Sequence, residues 1–382
     1  MNILDFVIVM PLGPDFASAL DITLSHLGFV GGSYTAAACV SGFAGAFFLD
    51  RFDRRKALSV AMLGLVLGTL AGAFAQGLVS LMIARIIAGA FGGPATSVSY
   101  SIIADVIPQE RRGKAMGAVM GAFSIASILG VPAGLELARR GSWKLPFIAV
   151  AVLGAILGTF AHAVLPPMFA HVGKSRSRSV WKDLVVLMRF DVFLSLTMTF
   201  TVMSAGFVLI PNISAFVLKN LSYPRKDLGT LYLIGGIVSF VAMRIVGRLV
   251  DRFGSARIGT FGSLFIAAVT YFGFVEFPPA IPVLVIFVGF MLGNAFRNVS
   301  YNTLTSKVPS ADERARFGSV QSAVQHLAAA LAAFASAQML TEREDGALEG
   351  IQRVAVISML LGLGLIPLFF VVESRVKRKL AR

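Results

Sequence analysis

Long apolar runs alternate with short charged or Pro/Gly-rich breaks along almost the whole chain. "SYTAAACVSGFAGAF" (33–47) and "LSVAMLGLVLGTLAGAFA" (58–75) are typical runs, and "FLDRFDRRKA" (48–57) is the break between them. Inside the runs apolar and polar residues do not alternate, so the pattern is not that of a barrel strand and reads as helix. Crossing the hydrocarbon of a bilayer takes about 20 apolar residues. Twelve spans follow: 1–20, 27–49, 57–76, 79–104, 113–138, 145–166, 190–218, 227–250, 257–276, 281–306, 316–340 and 350–372. The first is irregular. From Ile3 to Pro14 it offers only about 12 residues before Asp15, too few to cross. Either this span is shortened or its natural start lies upstream of Met1. The second reading is preferred, and it moves Asp5 from the membrane edge toward the middle.

Composition supports a bilayer as the solvent. The chain is 56% apolar and 14% charged, against about 25% charged in soluble domains. With a mean hydropathy of +0.80, most helices must face lipid. Lys and Arg number 34 against 20 Asp and Glu, a formal charge of +14. That excess suggests nucleic acid, but the charges lie in short blocks between apolar runs and form no single basic face. Their placement sets orientation instead. With a cytoplasmic amino terminus, the inside segments are 50–56, 105–114, 167–189, 251–257, 307–316 and 373–382. Lys and Arg there outnumber those of the opposite loops by about three to one, so both ends read as cytoplasmic. The single cysteine, Cys39, lies in an apolar run and reads as a small core residue without a disulfide partner in the chain. No basic n-region or small-residue cleavage site marks a signal peptide.

The chain also repeats. At an offset of 201, Gly28 falls on Gly229, "DRF" 50–52 on "DRF" 251–253, Lys56 on Arg257 and Gly92 on Gly293. "VSY" 98–100 falls on "VSY" 299–301, Pro108 on Pro309, Gly117 on Gly318 and Val119 on Val320. The matches cluster at equivalent helix ends and include charged loop residues. Six spans is an even number, so both halves insert the same way up, as a parallel repeat about an axis along the membrane normal. Such halves surround a cavity, and rocking them alternates access to it. The expected division is a first half at 1–166, a cytoplasmic linker at 167–189, a second half at 190–373 and a basic tail at 374–382.

With these residues in view, the chain resembles the major facilitator superfamily over its whole length, and within it the drug:proton antiporter and sugar-efflux branch. The family loop between spans 2 and 3 reads G-x-L-a-D-R-x-G-R-K. Here "AFFLDRFDRR" (46–55) matches it at Asp50, Arg51, Arg54 and Arg55, while Ala46 and Asp53 replace its two glycines. The second copy, "GRLVDRFGSA" (247–256), keeps Gly247 and Gly254 along with Asp251 and Arg252, but Ser255 and Ala256 replace the basic pair. The resemblance implies a cytoplasmic gate. Asp50 would lie near the amino end of span 11, where the helix dipole favours an anion, and Arg54 would pair with Asp105 at the end of span 4. In span 4, Arg85 and Gly89 match the family's R-x-x-x-G. An arginine in an apolar helix costs about 2.5–3.5 kcal/mol on insertion scales, so it should face the cavity or a partner. Snorkelling to the outer surface is the alternative. In span 5, Gly130, Pro132 and Gly134 approximate the exporter pattern G-x-x-x-G-P-x-x-G-G, with Val131 and Leu135 as departures.

Candidate chemistry is sparse. Asp5 matches the family's acid in span 1. An acid held inside the membrane can take up and release a proton as its surroundings change, and Arg85 joins it as a proton-coupling candidate; Asp5 at the cytoplasmic edge is the alternative. Glu136 reads as a solvated helix end and Asp191 as a helix start. The resemblance implies that spans 1, 4, 7 and 10 line the cavity. Arg297, Asn294 and Asn298 in span 10 and Asn212 in span 7 then become candidate substrate contacts, against the alternative of helix–helix hydrogen bonding. Gln321, Gln325 and His326 read as helix bridges, and Arg244 has no assigned role. "NLS" (220–222) fits a glycosylation sequon and is taken as chance.

The expected protein is therefore an all-α secondary transporter of the inner membrane, exporting a small organic solute, drug-like or sugar, in exchange for protons. The resemblance alone carries the choice of export. No G-x-x-x-x-G-K-[ST] loop is present, which excludes ATP hydrolysis by that motif. No cofactor, metal, nucleic acid or enzymatic activity is expected, and oligomeric state is left open. The rivals are an importer or uniporter of the same fold, and a receptor or scaffold that lost transport.

Overall fold

The computed structural model describes residues 1–49, 52–108, 126–168, 189–309 and 314–380. The described residues are nearly all helical. Among them, nine helical segments are long and apolar enough to cross a membrane. The pair Asn2–Val9 and Gly13–Leu20, bent by 66°, passes the same test only when taken together as one broken span. The break falls at Pro11 and Pro14, where two missing N–H groups and ring clashes prevent a continuous helix. Thus the irregular first run is helical on both sides of its prolines. Arg314–Met339 is 26 residues long but falls outside that set because Gln321, Gln325 and His326 dilute its apolar content. The start of the fifth expected span lies outside the described residues; its remainder is a π-turn, Ala126–Gly130, running into helix Val131–Arg140.

Contacts divide the chain into two compact units, Met1–Arg178 and Ser179–Arg382. In the first, Leu27–Phe48 and Arg54–Ala73 both pack along Leu78–Val106, and Arg54–Ala73 also packs on Lys144–Val164. In the second, Leu228–Phe253 and Ser255–Thr270 both pack along Val283–Thr305, and Ser255–Thr270 also packs on Ile351–Leu380. These are equivalent helices at the repeat offset, so each unit has the same order of pairing. Close approach depends on small residues. A β-carbon on Gly89 would stand 2.2 Å from the Tyr34 carbonyl oxygen, and one on Gly68 would stand 2.4 Å from the Ala88 nitrogen. Opposite faces are apolar and open: along Arg54–Ala73, Val60, Leu63 and Leu67 are more than half exposed, as a lipid-facing stripe requires.

Helix Phe190–Phe207 breaks before Pro211 into a short 3₁₀ turn, Ile210–Asn212, again at the position that proline dictates. A short hairpin, Thr341–Glu342 with Leu348–Glu349, joins the last two long helices. The sequon residue Asn220 is occupied by it. Its amide nitrogen donates to the Leu348 carbonyl at 2.9 Å, and its oxygen accepts from the Leu348 N–H at 2.9 Å.

Candidate functional site

The first unit holds a buried acid–base pair. Asp5 and Arg85 are each 1% exposed. Nη1 of Arg85 donates to both Asp5 carboxylate oxygens at 3.0 Å, and Nη2 reaches the Asp5 carbonyl at 3.4 Å. Thr69 donates its hydroxyl to the same carboxylate at 2.9 Å. The guanidinium carbon lies 4.5 Å above the Tyr34 ring centre, a cation–π contact strengthened by the burial of both side chains. The Tyr34 hydroxyl donates to Asn2, whose amide in turn donates to the Gly92 carbonyl and the Thr96 hydroxyl. Four helices thus converge on two charges: Asn2–Val9 supplies the acid, Leu78–Val106 the base, Arg54–Ala73 the threonine and Leu27–Phe48 the tyrosine. Arg85 is therefore not a snorkelling residue, and Asp5 is not at a solvated edge.

With Asp5 ionised the pair is neutral overall, and its desolvation is offset by mutual attraction and hydrogen bonds. A proton added to Asp5 cancels one charge and leaves Arg85 as a lone cation in a dry site. That state is costly unless helices move to admit water or an anion. Nε of Arg85 has no hydrogen-bond partner among the described residues.

Asp5 is held in place from a second direction. A β-carbon on Gly130 would stand 2.2 Å from Leu4, and one on Gly134 would stand 2.1 Å from Ile8. The span-5 glycines thus let their segment close against the helix bearing Asp5, on both sides of the acid. Pro132 sits at the start of Val131–Arg140, just after the π-turn, where its missing N–H costs least.

The second unit holds Arg297, which is 2% exposed on helix Val283–Thr305. Its Nη2 donates to Asn294 at 2.8 Å, and Asn294 is tied back to the Phe290 carbonyl at 2.9 Å. Arg297 forms no ion pair among the described residues, and its Nε has no partner there. Asn212 donates to Ser336 at 2.7 Å, which bridges two helices, while its oxygen is buried without a partner among the described residues. Asn298 likewise has a buried oxygen with no partner among the described residues. Gln321 and Gln325 donate to the Tyr301 hydroxyl at 2.8 and 3.1 Å. Arg244 lies over Phe240, one turn away on its own helix, at 4.1 Å.

The expected gate residues are spread over the described and undescribed parts. Asp50 and Arg51 lie outside the described residues, as does the Asp105 side chain. Arg54 is 6% exposed in the first turn of Arg54–Ala73. Asp251 and Arg252 are exposed at the end of Leu228–Phe253. The two loop copies nevertheless reveal a shared device. In the first, Asp53 caps its helix by accepting from the Arg55 N–H at 3.0 Å, and it also accepts from the Met168 N–H at 2.8 Å. In the second, Gly254 has φ +91° and leaves the capping to Glu373, which accepts from the Ala256 N–H at 3.2 Å. Both carboxylates tie a helix amino terminus to the last long helix of the same unit or to the residues that follow it. The glycine missing from the first copy is thus replaced by a residue that does the capping itself. At Glu136, Arg139 and Arg140 form exposed ion pairs.

Sequence reading missed Asn2, Tyr34, Thr69 and Glu373. Asn2 stands one turn before Asp5 and was visible as a polar residue near an intramembrane acid. The others are ordinary residue types whose role emerges only when helices distant in sequence meet.

The model for the Major Facilitator Superfamily matches residues 1–333. The inner membrane transport protein YdhP of Escherichia coli K12 is 28% identical over 244 residues, 64% of this chain and 61% of that protein. Multidrug resistance protein 2 of Bacillus subtilis is 26% identical over 263 residues, 66% of this chain and 64% of that protein. The chain thus spans a little over three fifths of these curated relatives. In fold it is similar to a D-xylose-proton symporter, with a TM-score of 0.76 and 19% identity over 97% of this chain and 95% of that one. It is also similar to the nucleoside transporter NupG, with a TM-score of 0.72 and 14% identity over 97% and 98%. The chain belongs to the Major Facilitator Superfamily, and so to a family of multi-pass membrane transporters.

Proposed function

We propose that the chain is a proton-coupled exporter of a small organic solute, drug-like or sugar, working by alternating access between two six-helix halves. The reading takes twelve spans, both termini in the cytoplasm of an inner-membrane protein, and a central cavity lined by spans 1, 4, 7 and 10. Asp5 and Arg85 form the coupling site; Asn212, Asn294, Arg297 and Asn298 contact solute. Asp50, Arg51, Arg54, Asp105, Asp251 and Arg252 form the cytoplasmic gate.

The Asp5–Arg85 pair carries this reading. A scaffold gains little from two buried charges, since apolar residues of similar volume would serve stability as well or better. A transporter gains a switch: the pair is closed when Asp5 is ionised and opens when a proton arrives. Coupling follows if the open state is the one that releases or admits solute.

Everted membrane vesicles test direction. With the vesicle interior held acid, an exporter accumulates its solute inside, and collapsing the gradient empties the vesicles. Accumulation only with the interior alkaline would make it an importer. Entry that only equilibrates the solute, whatever the gradient, would make it a uniporter.

A further inference from the structure

We propose that Arg297 is the docking point for the carboxylate of an organic monoanion, so that the solute is an acid rather than a neutral sugar or a cation. The inference deepens the transport reading and rests on it. It begins with the repeat. At the offset of 201, Asp5 corresponds to Gly206. In the first unit the acid at this position holds Arg85 at 3.0 Å. In the second unit a β-carbon on Gly206 would stand 3.7 Å from Nη2 of Arg297. The second unit therefore presents a cation to the position where the first keeps its carboxylate, but the residue there is glycine.

The helix pairing supports this correspondence. The residue equivalent to Arg297 is Thr96, which receives a hydrogen bond from Asn2, one turn from Asp5. Positions 96 and 297 thus face the same helix of their respective units. On its other side, Nη1 of Arg297 lies 3.7 Å from where a β-carbon on Gly362 would stand. Two glycines, both buried, therefore flank the guanidinium on different helices. Ser358, one turn before Gly362, donates to the Ala205 carbonyl at 2.6 Å and fixes those two helices together.

Chemistry selects the ligand. A guanidinium 2% exposed that, among the described residues, meets only an amide oxygen is an uncompensated charge, costly until an anion joins it. Its planar fork matches a carboxylate. One cation balances one negative charge, so a dianionic phosphate would leave the site charged again. Asp5 does not favour a cationic solute, because Arg85 already neutralises it. The solute reaches Arg297 when the spans move apart during the cycle.

The test uses the purified full chain in nanodiscs, with ligand binding read by thermal unfolding. The probes are the monocarboxylates benzoate, gluconate and lactate, with glucose and tetraphenylphosphonium as neutral and cationic controls. Monocarboxylates should stabilise the wild type. Arg297→Gln should weaken that binding about tenfold or more, as loss of a charge-assisted pair requires. Gly206→Asp keeps the arginine and supplies an internal carboxylate, so it should fold, raise the unfolding temperature and abolish monocarboxylate binding. That gain should vanish in Gly206→Asp with Arg297→Gln. The proposal is overturned if no monocarboxylate stabilises the wild type, if the controls do so equally, or if Gly206→Asp gives no Arg297-dependent gain. Asp5→Leu combined with Arg85→Leu, which removes both charges, separates the two ideas: binding at Arg297 should survive it even if proton coupling fails.

Discussion

At the scale of the residue, the central feature is a pair of charges buried inside the first unit. Removing one partner leaves the other buried and alone, which costs about 3–5 kcal/mol. Removing both for apolar residues of similar volume should cost much less. Arg85→Leu is therefore expected to destabilise the protein more than Asp5→Leu combined with Arg85→Leu, in thermal unfolding of the purified protein. A double-variant loss equal to the sum of the two single losses would show that the two side chains do not interact. The acid and the arginine were each legible in the sequence as exceptions to an apolar pattern. Their pairing was not, because 80 positions separate them and nothing local in either helix specifies the other. Tyr34 and Thr69 were less visible still, since both residue types are common in membrane helices.

The element scale is governed by how helix ends are fixed. Gly254, with φ +91° and ψ 153°, occupies backbone that only glycine adopts without strain, at about 1–3 kcal/mol for other residues. A side chain there would also meet the Glu373 carboxylate, 2.7 Å from the β-carbon position. Gly254→Asp is thus expected to destabilise through strain and like-charge repulsion together. Asp53→Ala in the first loop should cost its cap and the hydrogen bond from the Met168 N–H, about 1–2 kcal/mol together. Unfolding temperatures of the two variants check the order; the reverse order would contradict the capping scheme. The motif glycine was legible as a match to a pattern. Its departure in the first copy became intelligible only with the backbone angle, since Asp53 has φ −55° and needs no glycine. The bend in the first span was signalled by its two prolines, yet a run interrupted by proline reads as too short when it is in fact two helices. Helix Arg314–Met339 shows the opposite: its length was legible, but its polar residues keep it below the hydropathy of its neighbours.

For the whole molecule, the two units repeat one order of helix pairing, and the sequence carried that repeat in a handful of loop and glycine positions. Under the proposed six spans per unit, the loop near Asp345 would lie outside and the tail near Lys377 inside. In a Cys39→Ser background, Asp345→Cys should react with a membrane-impermeant maleimide on intact cells, and Lys377→Cys should react only after the membrane is opened. Labelling of both from outside would contradict the orientation. Lys and Arg placement carried this expectation, whereas the solute and the direction of transport had no comparable signal in the chain. The central claim is that protons move through Asp5 in exchange for solute. It is tested most directly by recording internal pH in proteoliposomes when solute is added, for wild type and Asp5→Asn side by side. The account predicts a solute-triggered proton flux in the wild type and none in the variant, with solute binding retained in both. Equal proton flux in the two proteins would contradict it.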